Sequence, residues 1–263
     1  TEVLFRLYQL KGKNILKELR GIFSFVFIDL KNENIQLVRD FTGTKPLYYL
    51  NKKSNIFFSS EAWFLYSISE KKIDENCLNF YFNFGFTNED STLIQDVKKI
   101  PPNHLYKFSL NNCKLHKEKY FNLDIQKNFN NPSTEETREC VENSIKRNLI
   151  SDTKIGTFLS GGVDSSTITI LAKKFNQNIE SFTTVFLPEQ KFKKFNVDFD
   201  FSKKISHDFG IKLNTCFIED NDQFFEDFLT VIKYLDEPVS NLNFLNTYWQ
   251  TKLAKERNIK VVL

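Results

Sequence analysis

The chain has 263 residues, with 36 Lys and Arg side chains against 33 Asp and Glu and a net charge of +3. This length holds one large domain or two ordinary ones, and the 41% hydrophobic content is enough for buried cores. The nearly balanced charge gives no case for nucleic acid as a bulk electrostatic partner. No apolar run approaches the ~20 residues that cross a bilayer, so no membrane partner is expected.

Cysteine usage and histidine spacing indicate a reduced chain without a structural metal. The four cysteines form no Cys-x-x-Cys pair, and the three histidines share no spacing with each other or with a cysteine. We therefore expect a cytoplasmic protein with no metal site built from protein side chains alone. The chain also lacks methionine and ends in an apolar, strand-like run, from which we expect an internal fragment of a longer protein.

Residues 1–117 predict one domain in which a helix is followed by strands paired in hairpins. The expected elements are a helix over 2–10 and strands over 22–29, 34–39, 47–50 and 56–59. Short polar turns between these strands favour stacked antiparallel sheets over a doubly wound parallel sheet. A polar stretch before Pro132 predicts a linker, which we place at residues 118–134.

Residues 135–263 predict a second domain, in which helices and strands alternate. Ser133 with Glu136 three residues later is a capping box, which predicts the start of a helix there. The expected elements after it are strand 155–159, helix 165–175, strand 179–186, helix 201–209, strand 212–217, helices 222–234 and 244–256, and strand 260–263. Alternation of this kind predicts a parallel sheet with right-handed crossovers. The fold class is therefore α/β combined with α+β.

The most informative segment is Leu-Ser-Gly-Gly-Val-Asp-Ser-Ser at residues 159–166. It predicts a strand, a tight Ser-Gly-Gly turn and the start of a helix, whose free amides and partial positive charge favour phosphate. Two adjacent glycines let the backbone approach a phosphate closely. Asp164 is expected either to cap the helix or to face a Mg²⁺ ion carried by the phosphates. No Gly-Lys-Ser/Thr follows, so the segment differs from a Walker loop.

Several further segments carry a resemblance that covers the chain from end to end. They are Arg20–Phe25, Arg39–Tyr49, Ser60-Glu61, Phe84–Phe86, Ile100–His104, Asp236–Pro238 and Lys260–Leu263, together with the loop Ser160–Ser166. In this order the motifs resemble the glutamine-hydrolysing asparagine synthetases. In that family an N-terminal-nucleophile glutaminase domain precedes an ATP-pyrophosphatase domain.

The resemblance implies both a function and its cofactors. Glutamine would be hydrolysed through a cysteine that lies upstream of this chain. ATP with Mg²⁺ would activate aspartate, and ammonia would convert the adenylate to asparagine, releasing AMP and pyrophosphate. The expected partners are the small molecules glutamine, aspartate and ATP, and the resemblance is compatible with a homodimer.

The resemblance also assigns site residues. ATP would be bound by Leu159, Ser160, Gly161, Gly162, Val163, Asp164, Ser165, Ser166 and Thr184, with Asp164 positioning Mg²⁺ and pyrophosphate. Asp236 and Glu237 could face Mg²⁺ or substrate, or simply form a helix-end turn. Asp198 is expected to cap a helix, and Arg39 and Asp40 to form a structural turn.

Two rival interpretations stay open. The family often has a pair of histidines where this chain has Leu213 and Asn214. That difference supports a related enzyme acting on another carboxylate, in cell-surface polysaccharide or natural-product synthesis. The other rival is a non-catalytic module that has lost its activity, against which the intact glycines and hydroxyls of the loop argue.

Overall fold

The computed structural model describes residues 1–52, 55–112, 114–122, 132–189, 191–194, 196–219 and 221–263. The chain divides into two compact units. The first unit is Thr1–Ile125 with Tyr234–Ser240, and the second is Gln126–Lys233 with Asn241–Leu263. The predicted fold class is confirmed, since the first unit contains antiparallel sheets and the second a parallel sheet.

In the described part of the chain, the first unit is built from two antiparallel sheets and three α-helices. Its elements are α1 (Glu2–Lys11), a 3₁₀-helix (Gly12–Lys17), β1 (Ser24–Asp29), β2 (Asn34–Arg39), β3 (Tyr48–Lys52), β4 (Asn55–Ser59), α2 (Ala62–Ile68), α3 (Glu75–Phe84), β5 (Val97–Lys99), β6 (His104–Ser109) and β7 (Leu115–Lys119). The sheet orders are β1-β2-β6-β7 and β4-β3-β5. Leu37 and Phe108 of the larger sheet pack in one buried cluster with Tyr49 of the smaller one, so the sheets are stacked as predicted.

Arg39 and Asp40 form the structural turn that the sequence predicts. The guanidinium of Arg39 donates to three backbone carbonyls. The carboxylate of Asp40 is fully buried and accepts from the amides of Thr42, Thr44 and Lys45. Burial alone would raise the pKa of Asp40, but the hydrogen bonds from Lys45, Thr44 and Thr42 outweigh it and lower the pKa. The pair therefore holds the turn between β2 and β3.

The second unit is a four-stranded parallel sheet with helices packed against it. Its elements are α4 (Thr134–Asn148), β8 (Ile155–Phe158), α5 (Val163–Phe175), β9 (Glu180–Leu187), α6 (Val197–Asp208), β10 (Lys212–Glu219), α7 (Asp222–Tyr234), α8 (Asn243–Glu256) and β11 (Val261–Val262). The strand order is β10-β9-β8-β11, and every pairing is parallel. The predicted capping box begins α4, because the Ser133 hydroxyl and the Glu136 side chain each bond the other's backbone amide.

Three predicted features differ from the structure. The linker placed at residues 118–134 starts too early, because β7 runs to Lys119 and Tyr120 is buried beside it. Helix α6 begins at Val197 rather than at 201, so Asp198 lies within its first turn and Asn196 is the N-cap residue. Gly162, not Asp164, is the N-cap residue of α5. Residues 123–131 of the predicted linker lie outside the described residues.

Candidate functional site

The segment 159–166 lies where the sequence predicts it, between the end of β8 and the start of α5. The amide of Leu159 bonds the carbonyl of Phe182 in β9, so the polypeptide leaves the sheet at Ser160. Leu159 is fully buried, whereas Ser160, Gly162, Val163 and Asp164 are exposed. The loop is thus anchored at one end and open to solvent at the other.

Gly161 occupies a position that only glycine fits. Its φ is 85°, in the left-handed region. A Cβ atom there would lie 2.6 Å from the Cβ of Phe201 and 2.7 Å from the carbonyl oxygen of Asp198. Gly162 has no such constraint, because a Cβ would only reach the Ser160 hydroxyl at 3.5 Å. The first glycine lets the loop pack against α6, and the second keeps its outer face free.

The N-terminus of α5 has no side-chain cap. The first turn of a helix leaves its amides without intrahelical acceptors. Among the described residues, no protein acceptor binds the amides of Gly161, Val163, Asp164 or Ser165. These four amides are therefore available to bind an anion, which the helix dipole also favours.

Hydroxyl groups hold the loop in this shape. The Ser165 hydroxyl lies 2.9 Å from that of Ser160 and donates to the Gly162 carbonyl at 3.2 Å. Ser166 is buried, and its hydroxyl has no hydrogen-bond partner among the described residues. An unpaired buried hydroxyl is costly, so a ligand or bound water at the loop is the natural partner for Ser166.

Three buried hydroxyls next to the loop, those of Thr157, Thr169 and Ser181, do not belong to any residue that the sequence assigns to the site. The Thr157 hydroxyl of β8 lies 2.7 Å from the Ser181 hydroxyl of β9. The Thr169 hydroxyl of α5 donates to the Thr157 hydroxyl at 3.0 Å. All three are buried. They tie the helix to both strands. The sequence does contain a signal for Thr157 and Ser181, because they are hydroxyl residues at strand positions where a buried strand usually has aliphatic side chains.

Thr184 lies on the strand next to the loop, as the resemblance implies. Thr184 is two residues beyond Phe182, whose carbonyl accepts a hydrogen bond from the Leu159 amide. Leu159 and Thr184 therefore lie toward the same edge of the sheet. The Thr184 side chain is half-buried. Eight of the nine residues assigned to ATP form the segment 159–166, and Thr184 lies on the adjacent strand β9.

Asp236 and Glu237 belong to the first unit and have protein partners there. The Asp236 carboxylate accepts from the amides of Ala62 and Trp63 at the N-terminus of α2. Burial raises the pKa of Asp236. Both carboxylates are therefore engaged by protein groups of the first unit.

The Glu237 carboxylate is held by three side chains. It accepts from the Tyr48 hydroxyl at 2.9 Å, from the Thr87 hydroxyl, and from the Lys99 ammonium at 2.7 Å. The Lys99 and Glu237 side chains are only 12% and 18% exposed, so this is a largely buried ion pair. Burial, with Glu237 as the next cause, raises the pKa of Tyr48.

The chemistry of the loop fits a nucleotide better than an isolated metal ion. Within the described residues, no group of three or more His, Cys, Asp or Glu side chains could hold a metal. Asp164 is exposed in the first turn of α5, beside the free amides. One carboxylate beside free amides is suited to a Mg²⁺ ion whose remaining oxygen ligands come from phosphate and water.

No helix in the described part of the chain is long and apolar enough to cross a membrane.

The comparisons with known proteins agree with this architecture. A family model described as "Glutamine amidotransferase domain" matches residues 1–121, and one described as "Asparagine synthase" matches residues 136–263. An amidotransferase domain followed by a synthase domain defines the class of a glutamine-dependent amide synthase. The chain belongs to the glutamine-hydrolysing asparagine synthetase family.

The curated relatives match nearly the whole chain at low identity. Asparagine synthetase [glutamine-hydrolyzing] 1 of Bacillus subtilis is 28% identical over 97% of this chain, which covers 40% of that protein. A putative asparagine synthetase [glutamine-hydrolyzing] 2 of Methanocaldococcus jannaschii is 26% identical over 97% of this chain and 50% of its own length. The chain thus spans about half or less of the length of these relatives.

Solved structures are similar only at a low level. The NMN synthetase of Francisella tularensis matches 49% of this chain and 53% of its own, with 17% identity and a TM-score of 0.34. At that score the likeness carries no inference about this chain.

Proposed function

We propose that this protein converts a carboxylic acid to an amide, using ATP to activate the acid and glutamine to supply the nitrogen. The observation that carries the proposal is the uncapped N-terminus of α5 beside a glycine loop at the end of β8. A cradle of free amides suits the pyrophosphate that leaves when a carboxylate is adenylated.

The reaction proceeds in two displacements. A carboxylate oxygen of the acceptor attacks the α-phosphorus of ATP, and the bond from that phosphorus to the bridging oxygen breaks, releasing pyrophosphate. Ammonia then attacks the acyl carbon, AMP leaves with the electron pair of the carbon–oxygen bond, and the nitrogen loses a proton. The charge that builds up on pyrophosphate in the first displacement is stabilised by preorganised donors.

The loop residues supply those donors. The amides of Gly161, Val163, Asp164 and Ser165 would bind the pyrophosphate oxygens, and the Ser166 hydroxyl would gain the partner that it lacks among the described residues. Asp164 would hold Mg²⁺ carried by the phosphates, which neutralises charge on the leaving group. Leu159 and Thr184, at the same edge of the sheet, would contact the nucleoside part.

Glutamine as the nitrogen donor is supported by the amidotransferase family model over residues 1–121. This unit has the stacked antiparallel sheets expected of an N-terminal-nucleophile glutaminase. Ammonia released there would serve the second displacement. The donor role is tested with glutamine labelled at the side-chain nitrogen.

Two acceptors are proposed. Aspartate, giving asparagine, is supported by the names of the relatives. Another carboxylate is supported by Leu213 and Asn214, which stand where the family often has histidines. The Asn214 side chain is buried and donates to Glu180 and to the Ser181 carbonyl, so it is committed to the sheet.

The experiment is exchange of labelled pyrophosphate into ATP by the full-length protein, with single carboxylic acids added. We expect exchange with one acid, and transfer of labelled nitrogen from glutamine to the product. Asp164→Asn should reduce exchange at least tenfold, since the carboxylate that positions Mg²⁺ is lost. Asp200→Asn is the matched control, because Asp200 is an exposed acid in the first turn of α6. Equal exchange rates for the two variants, or no exchange with any acid, would contradict the proposal.

A further inference from the structure

A cavity of about 420 Å³ lies in the second unit where β9 and β10 end. Four aromatic rings line it: Phe186, Phe192, Phe224 and Trp249. The rings of Phe186 and Phe224 lie 6.2 and 5.4 Å from the Trp249 ring, centroid to centroid. This is the volume and the apolar lining expected of a small-molecule site.

Hydrogen bonds fix two of the four aromatic residues that line the cavity, Phe186 and Trp249. Trp249 is 4% exposed, and its indole nitrogen donates to the buried Asp227 carboxylate at 2.8 Å. Asp227 also accepts from Gln223. On the opposite side, the Asn196 side chain bonds both the amide and the carbonyl of Phe186. These bonds hold Phe186 and Trp249 in place without a ligand.

The cavity adjoins the nucleotide loop. Asp198 lines the cavity, and its backbone carbonyl is one of the atoms packed most closely against Gly161. A molecule in the cavity would thus lie beside the segment that we propose to bind pyrophosphate. The position suits an acceptor that must reach the α-phosphorus of ATP.

The polar lining selects against a dicarboxylate such as aspartate. Two acidic residues, Asp198 and Glu219, and two amide residues, Asn243 and Asn246, are among those that line the cavity, and its described lining contains no Lys or Arg. A free carboxylate in a partly closed site needs a cation or several donors. An ammonium group between two carboxylates is favourable instead.

We propose that the acceptor bound in this cavity is an amine-bearing carboxylic acid with an aromatic body. The ring would pack on Trp249, the ammonium group would face Asp198 and Glu219, and the carboxylate would point toward the loop. This inference rests on the proposed function, in which the second candidate acceptor is a carboxylic acid other than aspartate. It adds the cavity that binds that acid, the chemical class of the acid, and Asp198 and Glu219 as specificity residues.

Binding can be measured apart from catalysis, because Trp249 reports on the cavity. In a full-length Trp63→Phe variant, Trp249 is the remaining tryptophan of this chain. The probes are L-phenylalanine, 3-phenylpropionate, which lacks the amine, and L-aspartate. We expect saturable quenching of Trp249 by L-phenylalanine, with about tenfold weaker binding of 3-phenylpropionate because the charge pairing is lost. L-Aspartate should leave the emission unchanged.

Glu219→Gln should bring the affinities for L-phenylalanine and 3-phenylpropionate within about threefold of each other. Glu226→Gln, an exposed glutamate of α7 outside the cavity lining, should keep the tenfold difference. Quenching by L-aspartate but not by L-phenylalanine, equal affinities for the two aromatic acids in the parent, or quenching by ATP alone would each overturn the inference.

Pyrophosphate exchange separates this inference from the proposed function. Exchange with L-phenylalanine above that with L-aspartate supports both. Exchange with L-aspartate alone overturns the inference and leaves the proposed function in place. Absence of exchange with any acid contradicts the proposed function, whereas Trp249 quenching would still show which class the cavity binds.

Discussion

The ion pair between Lys99 and Glu237 allows the most detailed prediction. Glu237 comes from the second half of the sequence but is built into the first unit, where it accepts three hydrogen bonds. Removing one partner of a buried ion pair leaves the other charge uncompensated, at a cost of about 3–5 kcal/mol. Lys99 keeps its bond to Thr87, so we expect Glu237→Ala to cost about 3 kcal/mol, at the lower end.

Hydrogen exchange measured by mass spectrometry reports this loss in the first unit alone. A loss of about 3 kcal/mol accelerates exchange roughly 100-fold in segments that open with the unit. The segments to follow are β3, which carries Tyr48, and α2, whose first amides bind Asp236. Exchange in β8 and α5 of the second unit serves as the internal reference.

A control pair and a double variant test the reasoning. Lys11 and Glu18 also form an ion pair, but their side chains are 46% and 61% exposed, so Glu18→Gln should change exchange by less than about fivefold. Lys99→Met combined with Glu237→Leu should cost less than the two single changes together, because no unpaired charge remains. Equal effects of the buried and exposed changes, or strictly additive costs, would refute the account of the pair.

Three further predictions concern the loop, the buried turn and the capping box. Gly161→Ala should lower the unfolding free energy by about 2 kcal/mol or more, since its Cβ would overlap α6 at a left-handed φ, whereas Gly162→Ala should change it by less than 1 kcal/mol in urea unfolding. Asp40→Asn should cost about 2 kcal/mol at pH 7. The pKa of Asp40 is lower in the folded than in the unfolded protein. The stabilisation that the Asp40 carboxylate gives is therefore present above its unfolded pKa of about 3.9 and is lost as the pH falls toward its folded pKa. If Asp40→Asn still lowered the unfolding free energy by the same amount at pH 2, this would be contradicted. Ser133→Ala should cost about 1 kcal/mol through loss of the capping box, seen as faster amide exchange in the first turn of α4, and unchanged exchange there would argue against the cap.

Local patterns explain what the sequence could predict. The loop at 159–166 and the capping box at Ser133 depend on neighbouring residues, and both are found where expected. The sequence predicts the start of α6 too late, because Val197 and the two aspartates that follow it are not typical of a helix. Acidic residues in a first turn stabilise the helix through its dipole, which sequence periodicity does not reveal.

Long-range contacts explain what the sequence could not predict. The Asp236–Glu237 segment joins two helices of the second half, yet its partners lie 138 to 189 positions away in the chain. No periodicity or spacing indicates such pairings. The four rings of the aromatic cavity likewise come from four separate segments, so its lining could not be predicted from any one motif.

The central claim is that the free amides at the start of α5 bind the pyrophosphate part of ATP. Proton–nitrogen correlation spectra of the labelled protein, recorded with and without Mg²⁺ and ATP, test it residue by residue. The account predicts that the largest amide shifts fall on Gly161, Val163, Asp164 and Ser165, with inorganic pyrophosphate shifting the same signals. Shifts confined to other parts of the chain, with these four signals unchanged at saturating ATP, would contradict it.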